Sequence, residues 1–331
     1  MTYSDKEKLQ RLHTVFDTNF KVTQLYANYL NIYPEMITDG MMRELCDGTD
    51  ITEKEALVAL LSELFGLDDE RGGIERKIIR DYLSVSVRLM DVKKYTENPY
   101  YKKIAPKEAK DGAFEIKWEY YPPYRAAISG DMIINDDYSE VPPLGFFSEG
   151  FSFPAVLEDG NEWMTLTPVD VDTSEDAIDA AHGKVITFGL GLGYYAYMVS
   201  EKSDVESVTV VERSEAVIRL FKTHILPKFE HKEKVRIICA DAIEYAKDVM
   251  PKEGYDYAFV DVWRDASDGT PIYESFKDLE RLSPKTKFDY WIENFLISKR
   301  RADNFVRLWT AYKNGDTDAP QSYEEFIRRL G

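Results

Sequence analysis

Apolar positions recur at helical spacing through the first hundred residues. Leu9, Leu12, Val15, Phe16 and Phe20 fall on one face of a predicted helix. Thr52-Glu53-Lys54-Glu55 carries a Thr-x-x-Glu pattern, in which each end of the motif caps the other. Ala56, Leu57, Leu60, Leu61 and Leu64 follow it at helical spacing, and Gly66 stands where that helix should end. A third helical run is predicted over 74–92, after Gly72-Gly73.

The pattern changes after about Asn98. Aromatic residues, Pro and Gly become frequent, as in Tyr120-Tyr121-Pro122-Pro123-Tyr124, and short strands with turns are expected up to Asp172. Along 163–167 the side chains of Trp163, Thr165 and Thr167 share one predicted strand face. A helix is expected over 174–181. From Lys184 onward strands and helices alternate. Strands are predicted over 185–188, 207–211, 235–240, 257–262 and 288–292. Helices are predicted over 194–200, 216–225, 242–249 and 272–282, and the tail 301–330 reads as helical.

This alternation predicts an α/β fold, a Rossmann-like and mostly parallel sheet with helices on both faces. It would be preceded by a helical region over 1–97 and a β-rich aromatic segment over 98–173, with the Rossmann-like domain over 174–331. No antiparallel hairpin is evident after the last strand.

Composition narrows the chemistry. The 331 residues carry a formal charge of -18, and an acidic surface repels phosphate backbones, which argues against nucleic acid as a partner. A small-molecule or protein acceptor suits that field better. Cys46 and Cys239 are far apart and form no metal-binding spacing, and Cys239 reads as a buried small hydrophobe. His13, His182, His224 and His231 show no metal-ligand spacing, so no metal is expected. The N-terminus lacks the apolar stretch of a signal peptide, and no run of 18 apolar residues occurs. A cytoplasmic protein without a membrane span is therefore expected. The aromatic segments outside the Rossmann-like half suggest a homodimer.

The strongest chemical signal is Val185-Ile186-Thr187-Phe188-Gly189-Leu190-Gly191-Leu192-Gly193-Tyr194. A strand runs into a glycine loop and then a helix, so a ligand can lie against bare backbone and helix amides. The spacing is G-x-G-x-G. The dinucleotide spacing G-x-G-x-x-G fails at Tyr194. Glu212 ends the next strand, Asp241 follows the third and Asp261 follows the fourth. An acid at such a strand tip can accept from both hydroxyls of a ribose.

These residues resemble the class I S-adenosylmethionine-dependent methyltransferases, and within them the spermidine-synthase-like branch. The similarity covers roughly 184–294. It implies that Gly189, Gly191 and Gly193 pass under the amino-acid part of S-adenosyl-L-methionine. It further implies that Glu212 holds the ribose, that Asp241 faces the adenine and that Asp261 sits beside the sulfonium as the catalytic residue. Tyr194 and Ala242 complete the implied cofactor contacts, and Trp263 and Thr167 are expected at the substrate pocket. Thr187 stands where many such enzymes carry an acid for the cofactor amine. The loop lacks the aspartate of aminopropyltransferases, whose G-G-G-D-G loop differs from Gly-Leu-Gly-Leu-Gly. Transfer of an aminopropyl or aminocarboxypropyl group, and cofactor binding without catalysis, remain the alternatives to methyl transfer. Asn98-Pro99-Tyr100-Tyr101 is similar to a base-stacking N-P-P-Y motif but lacks the second proline and does not follow the fourth strand.

Overall fold

The computed structural model describes residues 1–70 and 72–331. The chain forms two compact units, each assembled from separated stretches. One comprises Met1–Met90, Pro122–Glu149 and Asn294–Gly331; the other comprises Asp91–Tyr121 and Gly150–Glu293. This differs from the three consecutive segments read from the sequence. The C-terminal helices belong with the N-terminal ones, and the 98–173 segment is divided between the units. The reason is burial. In the first unit Leu9, Leu12 and Phe16 pack with Phe305, Leu308, Phe326 and Leu330, and the rings of Phe16 and Phe305 stack at 4.1 Å. Neither end of the chain has enough apolar surface to form that core alone.

In the same unit the run predicted as helix over 74–92 stops early. Val87–Met90 is a strand, paired in parallel with Leu144–Phe147. Pairing with a partner some fifty residues away overrides the local helical spacing.

The second unit holds the α/β core. Its parallel sheet consists of β1 (Gly183–Phe188), β2 (Val205–Glu212), β3 (Val235–Cys239), β4 (Tyr257–Val260) and β5 (Lys287–Tyr290), in the order β3-β2-β1-β4-β5. The fold is Rossmann-like, as the alternation predicted. The central strands are nearly all apolar because both faces are covered; Val185 to Phe188 and Tyr257 to Val260 are buried throughout. β3 is an edge strand, and Cys239 at its end is exposed, contrary to the expectation of burial. An edge strand is covered on fewer sides than its neighbours. An antiparallel sheet, Ala109–Asp111, Phe114–Tyr121, Phe151–Glu158 and Asn161–Thr165, completes the unit.

The helices that frame the sheet are α1 (Pro168–Ala180), α2 (Tyr194–Ser200), α3 (Glu215–His224), α4 (Ala242–Asp248) and α5 (Ala266–Leu279). Helix α1 begins earlier than the predicted 174–181. Thr167 caps it and Pro168 occupies its first turn, where a missing N–H costs nothing. Among the described residues no helix is long and apolar enough to cross a membrane.

Candidate functional site

The strand order reverses at β1. Successive connections run outward through β2 to β3 and then return across β1 to β4, so a crevice opens at the carboxyl ends of β1 and β4. Backbone geometry makes it narrow. The Gly189 amide donates to the Val211 carbonyl at 2.9 Å, and the Asp261 amide donates to the Phe188 carbonyl at 2.9 Å. Gly189 has φ +99°, and a Cβ built there would lie 1.9 Å from the Asp261 carbonyl oxygen. No other residue fits at that approach.

A cavity of about 300 Å³ lies above this crevice. Gly189, Gly191, Tyr194, Glu212, Asp241, Ala242, Asp261 and Trp263 all line it. Eight of the ten expected site residues thus meet in one place. Gly193 and Thr167 do not line it. Gly193 instead caps α2 with φ +75°, and a Cβ there would come within 2.2 Å of the Phe221 ring, so its role is to let the helix pack. Thr167 is buried beneath the N-terminus of α1, where its amide and hydroxyl donate to Asp170 Oδ2 at 2.7 and 2.8 Å. The strand that was to present Thr167 beside Trp163 ends at Thr165.

Glu212 is 6% exposed and its two oxygens are fixed by main-chain donors. The Leu190 amide donates to Oε2 at 3.2 Å and the Ser214 amide to Oε1 at 2.7 Å. Burial raises its pKa, against the lowering effect of these amides. Each oxygen keeps a second lone pair for a ligand. Asp241 is exposed and caps α4, accepting from the Glu244 amide at 3.0 Å, while it also borders the cavity.

Asp261 lies deep in the crevice. Burial pushes its pKa well above the carboxylate range, and the charges of Asp170 and Glu212 push it further. Asp170 itself is pushed up to about 6 by burial, opposed by its Thr167 hydrogen bonds. The sequence reading missed Asp170, although Thr167 and Asp170 stand at the spacing of a capping box. Trp291 was also missed. It follows β5 directly, and its amide donates to the Val260 carbonyl at 3.0 Å. The indole N–H groups of Trp263 and Trp291 are buried at the cavity and have no hydrogen-bond partner among the described residues. An indole nitrogen only donates, so a ligand atom or water must satisfy both.

The Asn98-Pro99-Tyr100-Tyr101 segment braces the loop instead of stacking a base. The Tyr100 hydroxyl donates to the Leu192 carbonyl at 2.5 Å, and Asn98 Nδ2 donates to the Tyr194 hydroxyl at 3.1 Å. Tyr101 donates to the Leu166 carbonyl at 2.5 Å. All three tyrosines are buried, so their hydroxyls need these partners.

No family model matches the chain, and no curated protein matches it. Solved structures similar to it include spermidine synthase from Thermotoga maritima, at 15% identity over 59% of this chain and 62% of that one, with a TM-score of 0.33. A spermidine synthase in complex with the transition-state analogue AdoDATO matches at 15% identity over 59% and 61%, with a TM-score of 0.32. A Streptococcus mutans chain provisionally assigned as a SAM-dependent methyltransferase matches at 16% identity over 39% and 36%, with a TM-score of 0.28. The chain spans about three fifths of the length of the two spermidine synthases.

Proposed function

We propose that this chain is an S-adenosylmethionine-dependent methyltransferase acting on a small molecule or a protein. The observation that carries the reading is Glu212. It is a buried carboxylate at the tip of β2, aimed by two amides into a cavity that also exposes bare glycine backbone. That arrangement suits the vicinal hydroxyls of a ribose. The remaining walls suit the rest of such a cofactor. Asp241, Ala242 and Ile243 border the β3 side, where an adenine would lie. The two unsatisfied indole N–H groups offer donors. The buried acids offer counter-charge, and the face of Trp263 offers a π surface to a cation.

When bound, the cofactor would supply an electrophilic methyl carbon on a sulfonium. The chain's own part is positioning, exclusion of water and proton handling. Trp263, which is 6% exposed, keeps water from the crevice. Burial and two neighbouring acids oppose the ionisation of Asp261 in the ligand-free protein. A cation beside it favours the carboxylate, which can then take the proton of an amine or hydroxyl acceptor.

Transfer of an aminopropyl group is the second reading, and one observation favours it. Asp170, Glu212 and Asp261 make the inner wall strongly acidic, which suits a doubly cationic cofactor without a carboxylate. The mass of the product separates the two readings, since one adds a methyl and the other a propyl-derived group. For either reading, Glu212→Ala is expected to weaken cofactor binding by about ten- to a hundredfold in calorimetric titration, on the scale of charge-assisted hydrogen bonds. Unchanged affinity contradicts the ribose assignment.

A further inference from the structure

Five acids, Asp170, Glu212, Asp241, Asp261 and Asp268, line the cavity against two cations, Arg213 and Arg264. Glu212 is satisfied in part by two amides, and Arg213 lowers its pKa. Asp261 and Asp170 have no cation among the groups that act on them. Asp170 lines the cavity from the first turn of α1, beside the loop residue Tyr194. Both Thr167 donors go to its Oδ2, which leaves Oδ1 free of them. Strand β1 brings the uncharged Thr187 to the same wall.

The strand order separates two acidic ends. Glu212 and Asp241 stand at the tips of β2 and β3, on one side of β1, and Asp261 stands at the tip of β4 on the other. Asp170 lines the same cavity, and its charge reaches Asp261. A ligand that spans the cavity meets the hydroxyl-accepting oxygens of Glu212 and the carboxyls of Asp170 and Asp261, on which no cation acts. A carboxyl withdrawn from water with no cation beside it resists ionisation, and a ligand cation would offset that cost.

We infer that Asp170 is the counter-ion of a ligand ammonium group, taking the place that Thr187 cannot fill, with Asp261 left for the reacting end. The inference rests on the adenosyl-cofactor reading above. Asp170 then selects an adenosyl ligand with an intact amine over one that ends at the thioether.

Calorimetric titration of the whole chain at pH 7.5 tests this. The ligands are S-adenosylhomocysteine and its decarboxylated form, which carry the ammonium, and 5′-methylthioadenosine, which lacks it. Asp170→Asn keeps the shape and the cap acceptor. It should weaken the ammonium-bearing ligands at least tenfold and change methylthioadenosine less than twofold. Thr167→Val removes one of the two donors to Oδ2 but keeps the carboxylate and its Oδ1, and should lower the melting temperature without abolishing the preference between ligands. Equal affinities in Asp170→Asn and the wild type, equal weakening of all three ligands, or the same loss of preference in Thr167→Val would each overturn the assignment. If the wild-type chain binds none of the three, the adenosyl reading falls, and this inference falls with it.

Discussion

At the scale of single residues, the site is defined by acids that the fold holds away from water. Asp170 shows the consequence for stability. Its pKa is near 6 in the folded protein against 3.8 for the free side chain, so the native state binds the proton more tightly. Its contribution to stability is complete below about pH 4 and is lost as pH rises through about 6. The loss is bounded at about 3 kcal/mol. Thr167, Tyr101, Tyr194 and Asp261 interact with it; Glu212, Asp241, Asp268, Arg213 and Arg264 line the same cavity, and neither arginine is among the groups that shift its pKa. Asp170→Asn should therefore melt at a higher temperature than the wild type at pH 7.5 and at nearly the same temperature near pH 4. A constant difference across that range would contradict the assignment of the titration to Asp170. Asp261 should behave differently. Asp261→Asn is expected to keep cofactor affinity within a few-fold and to lower turnover by about a hundredfold or more, the range of a lost general base. Gly189 has the least tolerance of any loop position. Gly189→Ala would place a methyl against the Asp261 carbonyl at positive φ, and should cost about 3 kcal/mol or more in denaturant unfolding.

Elements explain how those residues meet. The loop between β1 and α2 is tied to β2 at its β1 end, by the Gly189 and Leu190 amides, and is buttressed near its α2 end by the Tyr100 hydroxyl at the Leu192 carbonyl. Tyr100→Phe removes one buried donor and leaves the Leu192 carbonyl without it. A loss of about 1–3 kcal/mol in stability is expected, with weaker binding at the loop. Most of this arrangement was legible in the sequence. The order of strand, glycine loop and helix carried the fold, because central strands covered on both faces read as apolar runs. Glu212, Asp241 and Asp261 were legible because each stands directly after such a run. Asp170 and Trp291 were not. Asp170 comes from a helix that precedes the first strand, and its capping pattern looks the same whether or not a cavity lies beside it. Trp291 follows an edge strand with mixed exposure, so no uniform run pointed to it. Thr167 was misplaced for a related reason: strand periodicity was carried two residues past the end of its strand, to the point where helix capping takes over.

On the scale of the whole molecule, the chain's ends were the least legible part. Phe326 and Leu330 are fully buried against Leu9, Leu12 and Phe16, more than three hundred positions away in sequence. Nothing local announces such a pairing, and helical periodicity predicts only that each segment has an apolar face. Phe326→Ala should destabilise the chain by about 3–4 kcal/mol, measured by urea unfolding, as expected for an emptied aromatic site. The acid-rich composition reappears at the site as the Asp170, Glu212 and Asp261 wall, which is where it bears on function. Those charges repel an anionic ligand and reward a cationic one. Affinity for an ammonium-bearing adenosyl compound should accordingly rise with pH from 5 to 7.5, as Asp170 ionises.

The most direct measurement is calorimetric titration of the purified chain with S-adenosylmethionine, S-adenosylhomocysteine, decarboxylated S-adenosylmethionine and NAD, with Glu212→Ala beside the wild type. Micromolar binding of the adenosyl compounds, absent for NAD and weakened at least tenfold in Glu212→Ala, is the predicted result. Binding of none of them, or equal binding to wild type and Glu212→Ala, would contradict the reading of this cavity as an adenosyl-cofactor site.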